Sequence, residues 1–260
     1  ITHYRSQDGD KAPVHHVAVL RTGQGFLIAI GASREAAVKL VREADAKHET
    51  WAKARHRRLT GLIGGSHSLE TSDPMLDKAL RWLTHTTDQL VTAQRGQGIY
   101  AGLPWFNQYW GRDTFISFTG ALLVTGQFDT AKEILRSFAK FQDRDPESPF
   151  FGRMPNIVLP GALDYHTTDG TPRFVIALRD YVRYTGDVAL ARELFPHVRD
   201  SIEGSLVRFT SDDMLLRHAD NETWMDARRE PDKAAYAPRA ASANDIQALW
   251  IEQLQAGAEL

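Results

Sequence analysis

Between Tyr100 and Phe115 the chain places six aromatic rings in sixteen residues and runs them into the charged pair Arg112-Asp113. Aromatic faces beside a fixed guanidinium and carboxylate suit a sugar. The apolar C–H face of a pyranose stacks on a ring, while its hydroxyls take charge-assisted hydrogen bonds. Trp105, Trp110, Arg112 and Asp113 are therefore candidate sugar contacts. The same stretch also reads as a buried aromatic cluster entering a helix, with Asp113 as its N-cap and Arg112 as the partner of that cap.

A second candidate lies in Asn221-Glu222-Thr223-Trp224-Met225-Asp226-Ala227-Arg228. A carboxylate two residues from a Trp and beside a Met is expected in a poorly solvated wall, where loss of water favours the neutral, proton-donating form. Glycoside cleavage needs such an acid to protonate the leaving oxygen, with a second carboxylate across the sugar. The plainer alternative makes Asp226 a turn cap or a partner of Arg228 or Arg229. In Phe151-Gly152-Arg153-Met154-Pro155-Asn156, Arg153 and Asn156 either donate to sugar hydroxyls or simply form a tight turn. In Asp164-Tyr165-His166-Thr167-Thr168-Asp169, Asp169 is either a further site carboxylate or the start of a helix with Pro172 in its first turn.

Other chemistries lack their signatures. The histidines show no His-x-x-x-His or other metal spacing. There is no Gly-x-Gly-x-x-Gly, phosphate loop or Gly-x-Ser-x-Gly. No metal and no cofactor is expected. With 31 basic and 33 acidic residues and a net charge of −2, nothing attracts nucleic acid or an anionic membrane. No apolar run nears the roughly 20 residues that span a bilayer. The absence of cysteine is compatible with a cytoplasmic location, which is the expectation.

The elements that must position these residues are mostly helical. Residues 1–31 hold two β-prone runs, Val14–Ala18 and Gly25–Ile30, joined as a hairpin, and read as the end of a β-sandwich-like domain. Residues 32–66 read as a linker helix, with Ser33 as its N-cap, followed by a joint at Gly64-Gly65-Ser66-His67. From residue 67 to 260 the helical period dominates. Asp73-Pro74 starts a helix carrying Leu76, Leu80, Leu83 and Leu90 on one face, and Thr114–Thr125 closes at Gly126. Thr130–Asp143 follows, then a helix through Phe174, Leu178 and Tyr181 stopped by Gly186. Leu190 to Ile202 stripe the next, and Ala243–Leu260 is the last. Loops at 94–112, 144–171 and 211–241 carry the chemistry. The pattern suggests a toroid of helical hairpins.

In this order the motifs resemble the C-terminal catalytic region of the glycogen debranching, or amylo-α-1,6-glucosidase, family. The blocks are Ala101-Gly102-Leu103-Pro104-Trp105-Phe106, Trp110-Gly111-Arg112-Asp113-Thr114-Phe115-Ile116, Tyr184-Thr185-Gly186-Asp187, Thr223-Trp224-Met225-Asp226-Ala227, Pro238-Arg239 and Asp245-Ile246-Gln247-Ala248-Leu249-Trp250. The resemblance covers about residues 70–260. It implies an (α/α)6 barrel, of which 67–260 is the N-terminal part, and inverting hydrolysis of α-1,6-linked glucose at branch points of glycogen or a related α-glucan.

By the same resemblance Asp226 is the general acid, Arg112 and Asp113 bind the terminal glucose, and Trp105, Trp110 and Trp224 wall the pocket. Arg153, Asn156, Asp169 and Arg239 are further binding candidates. The family's last block begins Glu-Ile where this chain has Asp245-Ile246. The start without Met and the end inside a helical pattern suggest a fragment. The family's general base is expected beyond residue 260, so the isolated polypeptide is expected to be inactive. Glucoamylase-like or trehalase-like toroids, or a non-catalytic carbohydrate-binding toroid, are the alternatives.

Overall fold

The computed structural model describes residues 2–6, 15–23, 25–65, 69–159, 161–228 and 234–260. Val14, Ser66, His67 and Arg229, which entered the sequence reading, lie outside them. About 53% of the residues are helical, as a mainly α chain requires. The chain divides into two compact units, Ile1–Gly65 and Ser66–Leu260.

In the first unit, β1 (Thr2–Ser6), β2 (His15–Thr22) and β3 (Gly25–Gly31) form an antiparallel sheet in that order. β2 and β3 are the expected hairpin. Strand periodicity turns Leu27 and Ala29 toward Ala37 and Val41 of α1 (Arg34–Ile63) and leaves Phe26, Ile28 and Ile30 exposed. Ser33 caps α1 through a 3.1 Å bond from the Ala36 N–H. α1 packs on β2 and β3.

In the second unit Asp73 caps α2 (Pro74–Leu90), accepting from the Met75 and Leu76 N–H groups at 2.8 and 3.4 Å. The leucine stripe of α2 stays open: Leu76 and Leu83 are exposed. Between the helices runs a five-stranded antiparallel sheet in the order β4 (Val91–Thr92), β5 (Gly98–Gly102), β6 (Phe106–Trp110), β7 (Ile157–Leu159) and β8 (Ala162–Asp164). The sequence reading gave loops over most of these residues. Strands of two to five residues are too short to show a period, and the sheet closes through one long-range pairing, that of β6 with β7.

The remaining helices are α3 (Gly111–Phe118), α4 (Phe128–Ala139), α5 (Gly170–Thr185), α6 (Val188–Gly204) and α7 (Asn244–Glu259). α3 starts three residues before the expected Thr114, so Asp113 lies inside its first turn and Trp110 is the N-cap. It continues as a wide π turn, Thr119–Leu123, and Gly126 then supplies the left-handed φ of 71° that ends it. Gly186, with φ of 70°, ends α5 in the same way.

Ion pairs fix the helices in two layers. Arg112 and Thr119 of the α3 segment meet Asp169 and Asp180 of α5, so these two run parallel. Arg179 and Arg183 of α5 meet Glu252 and Glu259 of α7, so these do as well. In the other layer Lys132 and Arg136 of α4 bind Asp187 and Glu193, at the start of α6, at 2.7 and 2.6 Å. Phe115 packs edge-on against Phe138 across the layers and against Phe174 within its own, with ring centroids 4.9 and 5.5 Å apart, tying α3 to α4 and α5.

One close approach positions the loop that carries Arg153. A Cβ on Gly204 of α6 would stand 2.1 Å from the Phe151 carbonyl oxygen, and Gly152, at φ of 85°, presses back on Asp200. Gly204→Ala must therefore push backbone from backbone. Overpacking of this kind costs about 1–3 kcal/mol, and each kcal/mol lowers Tm by roughly 2–4 °C in a unit of this size. Gly120→Ala, whose Cβ meets nothing within 4 Å, is the control. Thermal unfolding followed by circular dichroism should separate the two, and equal midpoints would contradict the steric argument.

Candidate active site

The site is assembled where a strand turns directly into a helix. β6 ends at Trp110 and α3 begins at Gly111, whose N–H donates to the Asn156 carbonyl at 2.8 Å. A Cβ at Gly111 would fall 2.3 Å from the Pro155 oxygen, so the turn needs glycine at this position. Arg112 is thereby delivered into the protein with 8% of its surface exposed.

Three arms of its guanidinium are used. Nε donates to Asp169 Oδ2 at 2.5 Å, Nη1 to Asp226 Oδ2 at 2.8 Å and Nη2 to the Thr223 carbonyl at 2.8 Å. Residues 57 and 114 positions away in sequence are thus brought to one cation. Burial alone would lower the Arg112 pKa, but Asp169 and Asp226 more than reverse this and raise it.

Asp169 is the N-cap residue of α5, as the helix-start reading expected, although its side chain caps nothing: Oδ2 is taken by Arg112. Asp226 departs from expectation in its surroundings. It does not sit in an apolar wall. Its side chain is 25% exposed, its partner is Arg112, and Trp224 turns outward at 59% exposure. The buried cation recruits the carboxylate more strongly than neighbouring apolar residues in sequence can shield it.

Asp113 faces another way. It is exposed and lines a cavity of about 320 Å³ with Leu90, Ile99, Tyr100, Ile116 and Ser117. Desolvation on its protein side pushes its carboxyl up; Arg112 opposes this, and Asp169 and Asp226 add to it. Trp105 is 80% exposed in the β5–β6 turn. Trp110 packs edge-on to Phe106 at 5.9 Å. Arg239 grips Asp245 at the start of α7 through both Nη atoms, at 3.0 and 2.8 Å. Arg173, in the first turns of α5, is lowered by burial, with Asp169 and Asp245 opposing and Arg112 adding to the fall.

Two of the candidate residues are turned into the protein. Asn156 is fully buried and serves through its backbone, donating to the Asp164 carbonyl at 2.6 Å as well as accepting from Gly111. Arg153 is 3% exposed, lies 3.9 Å over the Phe209 ring, and donates to Glu222, Thr168 and the Tyr165 carbonyl. Glu222 was not singled out by sequence. It joins the 144–171 and 211–241 loops: its carboxylate binds Arg153 at 3.2 Å, and its carbonyl accepts from the Thr168 N–H at 2.8 Å. Its partner is 69 residues away, so no local signal marks it. His166 was likewise passed over; its Nε2 lies 4.0 Å from Asp226 Oδ2. Among the described residues no group of three His, Cys, Asp or Glu could hold a metal ion, and no helix is long and apolar enough to cross a membrane.

Residues 78–260 match the amylo-alpha-1,6-glucosidase family. Among curated proteins, the glycogen debranching enzyme of Saccharomyces cerevisiae is 34% identical over 119 residues, covering 40% of this chain and 7% of that enzyme. The chain therefore matches only a small part of that relative's length.

The Arg153–Glu222 pair gives a stability signature with a definite sign. Burial pushes the Glu222 carboxyl up, but the charge and hydrogen bonds of Arg153 outweigh it and hold it below its ordinary value. A depressed folded value stabilises fully above the unfolded pKa of about 4.3 and is lost as pH falls through the folded one. Glu222→Gln, which strands a buried cation, should cost about 3 kcal/mol at pH 7. Urea unfolding of both proteins from pH 7 to pH 3 is expected to show this gap constant above about pH 5 and narrowing below pH 4. A gap that does not change with pH contradicts the assignment.

Proposed function

The chain belongs to the amylo-alpha-1,6-glucosidase family, and from that membership and the Arg112 network we propose that it hydrolyses α-1,6-linked glucose at branch points of glycogen or a similar α-glucan. The observation that carries the reading is the convergence of Asp169 and Asp226 on the buried Arg112. It leaves a partly accessible carboxyl group on a loop that also carries the exposed Trp224, which is what acid-assisted sugar cleavage uses.

In this reading Asp226 is the general acid. Its Oδ2 accepts from Arg112, which orients the carboxyl group that carries the proton toward the glycosidic oxygen. Protonation lets the leaving alcohol depart while positive charge develops on the sugar ring, and carboxylates around Arg112 favour that charge. Trp105 and Trp224, both exposed, stack on pyranose faces, with Trp110 behind them. Asp113 and Arg239 bind hydroxyls at the rim. Asp169 fixes the Arg112 fork, and Arg153 and Asn156 act by holding the loops rather than by touching sugar.

Inversion requires a second carboxylate roughly 6.5–9.5 Å from the acid to activate water. The reading assigns none within residues 1–260, so that polypeptide alone is expected to bind glucan without releasing glucose. The parallel layers α3-α5-α7 and α4-α6 support reading residues 67–260 as the N-terminal part of an (α/α)6 toroid, preceded by a β-sandwich-like end (1–31) and a joining helix (32–66). A glycogen substrate goes with a cytoplasmic location.

Asp226→Asn in the native protein should reduce glucose release from a phosphorylase limit dextrin by about 10²–10⁴-fold while oligosaccharide binding, followed by calorimetry, persists. Unchanged turnover in that variant would remove Asp226 from the role of acid. Wild-type protein that binds glucans and releases nothing would instead favour a binding toroid. Preference for maltose or trehalose would point to another glycosidase.

A further inference from the structure

An acid that has given its proton to a leaving group must regain one before the next cleavage, and among the described residues one imidazole pairs with Asp226 at 4.0 Å. His166 Nδ1 lies 2.8 Å from Asp164 Oδ1, and the His166 backbone N–H donates to the same oxygen at 2.9 Å. A carboxylate oxygen only accepts, so Nδ1 carries a hydrogen and the ring is locked with Nε2 as its free edge. That edge faces Asp226 Oδ2 at 4.0 Å. The distance exceeds a hydrogen bond, but both side chains keep room to close it, with 33% and 25% exposure.

The surrounding charges organise this line. Asp164, at the end of β8, lies behind the imidazole. Asp226, with Arg112 and then Asp169 beyond it, lies in front. Arg112 holds Asp226 Oδ2 in place but has no proton to give, because an arginine stays charged. His166 is the neighbour of Asp226 whose side chain can both accept and donate a proton.

We propose that His166 is the proton-returning residue of this site, resetting Asp226 after each turnover while Asp164 holds its ring. The step balances simply. The His166 imidazolium breaks its Nε2–H bond, the proton forms a new O–H bond on the Asp226 carboxylate, and the neutral imidazole then takes up from solvent the proton released when the attacking water is deprotonated. No electron changes hands. The inference rests on the glycosidase reading for its role, but the contact itself does not.

Two measurements test it. In ¹⁵N-histidine-labelled protein the Nδ1–H form of His166 is expected, and Asp226→Asn should move the Nε2 resonance while Asp164→Asn abolishes the single tautomer. An Nε2 signal indifferent to Asp226→Asn overturns the contact. In the native protein, His166→Gln should slow release of α-1,6-linked glucose at least tenfold and spare hydrolysis of α-glucosyl fluoride, whose leaving group departs without protonation. Added imidazole should restore part of the lost rate. Equal losses on both substrates, with no rescue, show a merely structural role and overturn the proposal. Wild-type protein that cleaves neither substrate sinks the glycosidase reading instead, and the resonance test then decides the contact by itself.

Discussion

The second unit is organised around one buried cation. An arginine at 8% exposure keeps its charge, and leaving it unpaired would cost several kcal/mol. Three acceptors must therefore be present at once: the first residue before α5, a carbonyl and a carboxylate of the 211–241 loop. None of these segments lies near the others in sequence. Their meeting at Arg112 converts an electrostatic requirement into a geometric one, because a planar fork accepts partners only in its own plane. The loop that carries Asp226 is thus placed by what the cation needs rather than by a regular element of its own.

The helices make that placement possible. α3 and α5 are parallel neighbours, so their first turns lie side by side, and Arg112 and Asp169 are both first-turn or cap residues. α7 lies parallel on the far side of α5 with Asp245 in its first turn. Carboxylates at Asp169 and Asp245 sit at the positive ends of helix dipoles, where they are favoured by a few tenths of a kcal/mol to about 1. A second latch, Arg153–Glu222, crosses from the loop before α5 to the loop before α7. The two arginines together close both long loops over the helix starts.

Much of this was legible in the sequence, in proportion to how local it is. Ser33 and Asp73 cap as written, and Gly126 and Gly186 end helices because a left-handed φ is cheap only for glycine. The aromatic approach to Arg112, and the Asp226 block, stood out by composition. What could not be read is whatever depends on a distant partner. The sheet β4–β8 is made of fragments that acquire strand character only on pairing. The burial of Asn156 follows from its backbone bridging Gly111 and Asp164. The setting of Asp226 differs from the expected apolar wall because Trp224 turns outward and the partner of the carboxylate is Arg112, 114 residues away. Glu222 and His166 were invisible for the same reason.

The ladder of charges along α5 also grades in wetness. At the site end, Arg112 and Asp169 are 9% and 3% exposed; midway, Arg179 and Glu252 are 8% and 41%; at the far end, Arg183 and Glu259 are 54% and 44%. Dissolved ions screen exposed pairs and hardly touch dry ones. Rising ionic strength therefore loosens α5 and α7 from their C-terminal tips inward, and hydrogen exchange in salt would show that order. The end that holds Arg112 is the last to notice the composition of the surrounding solution.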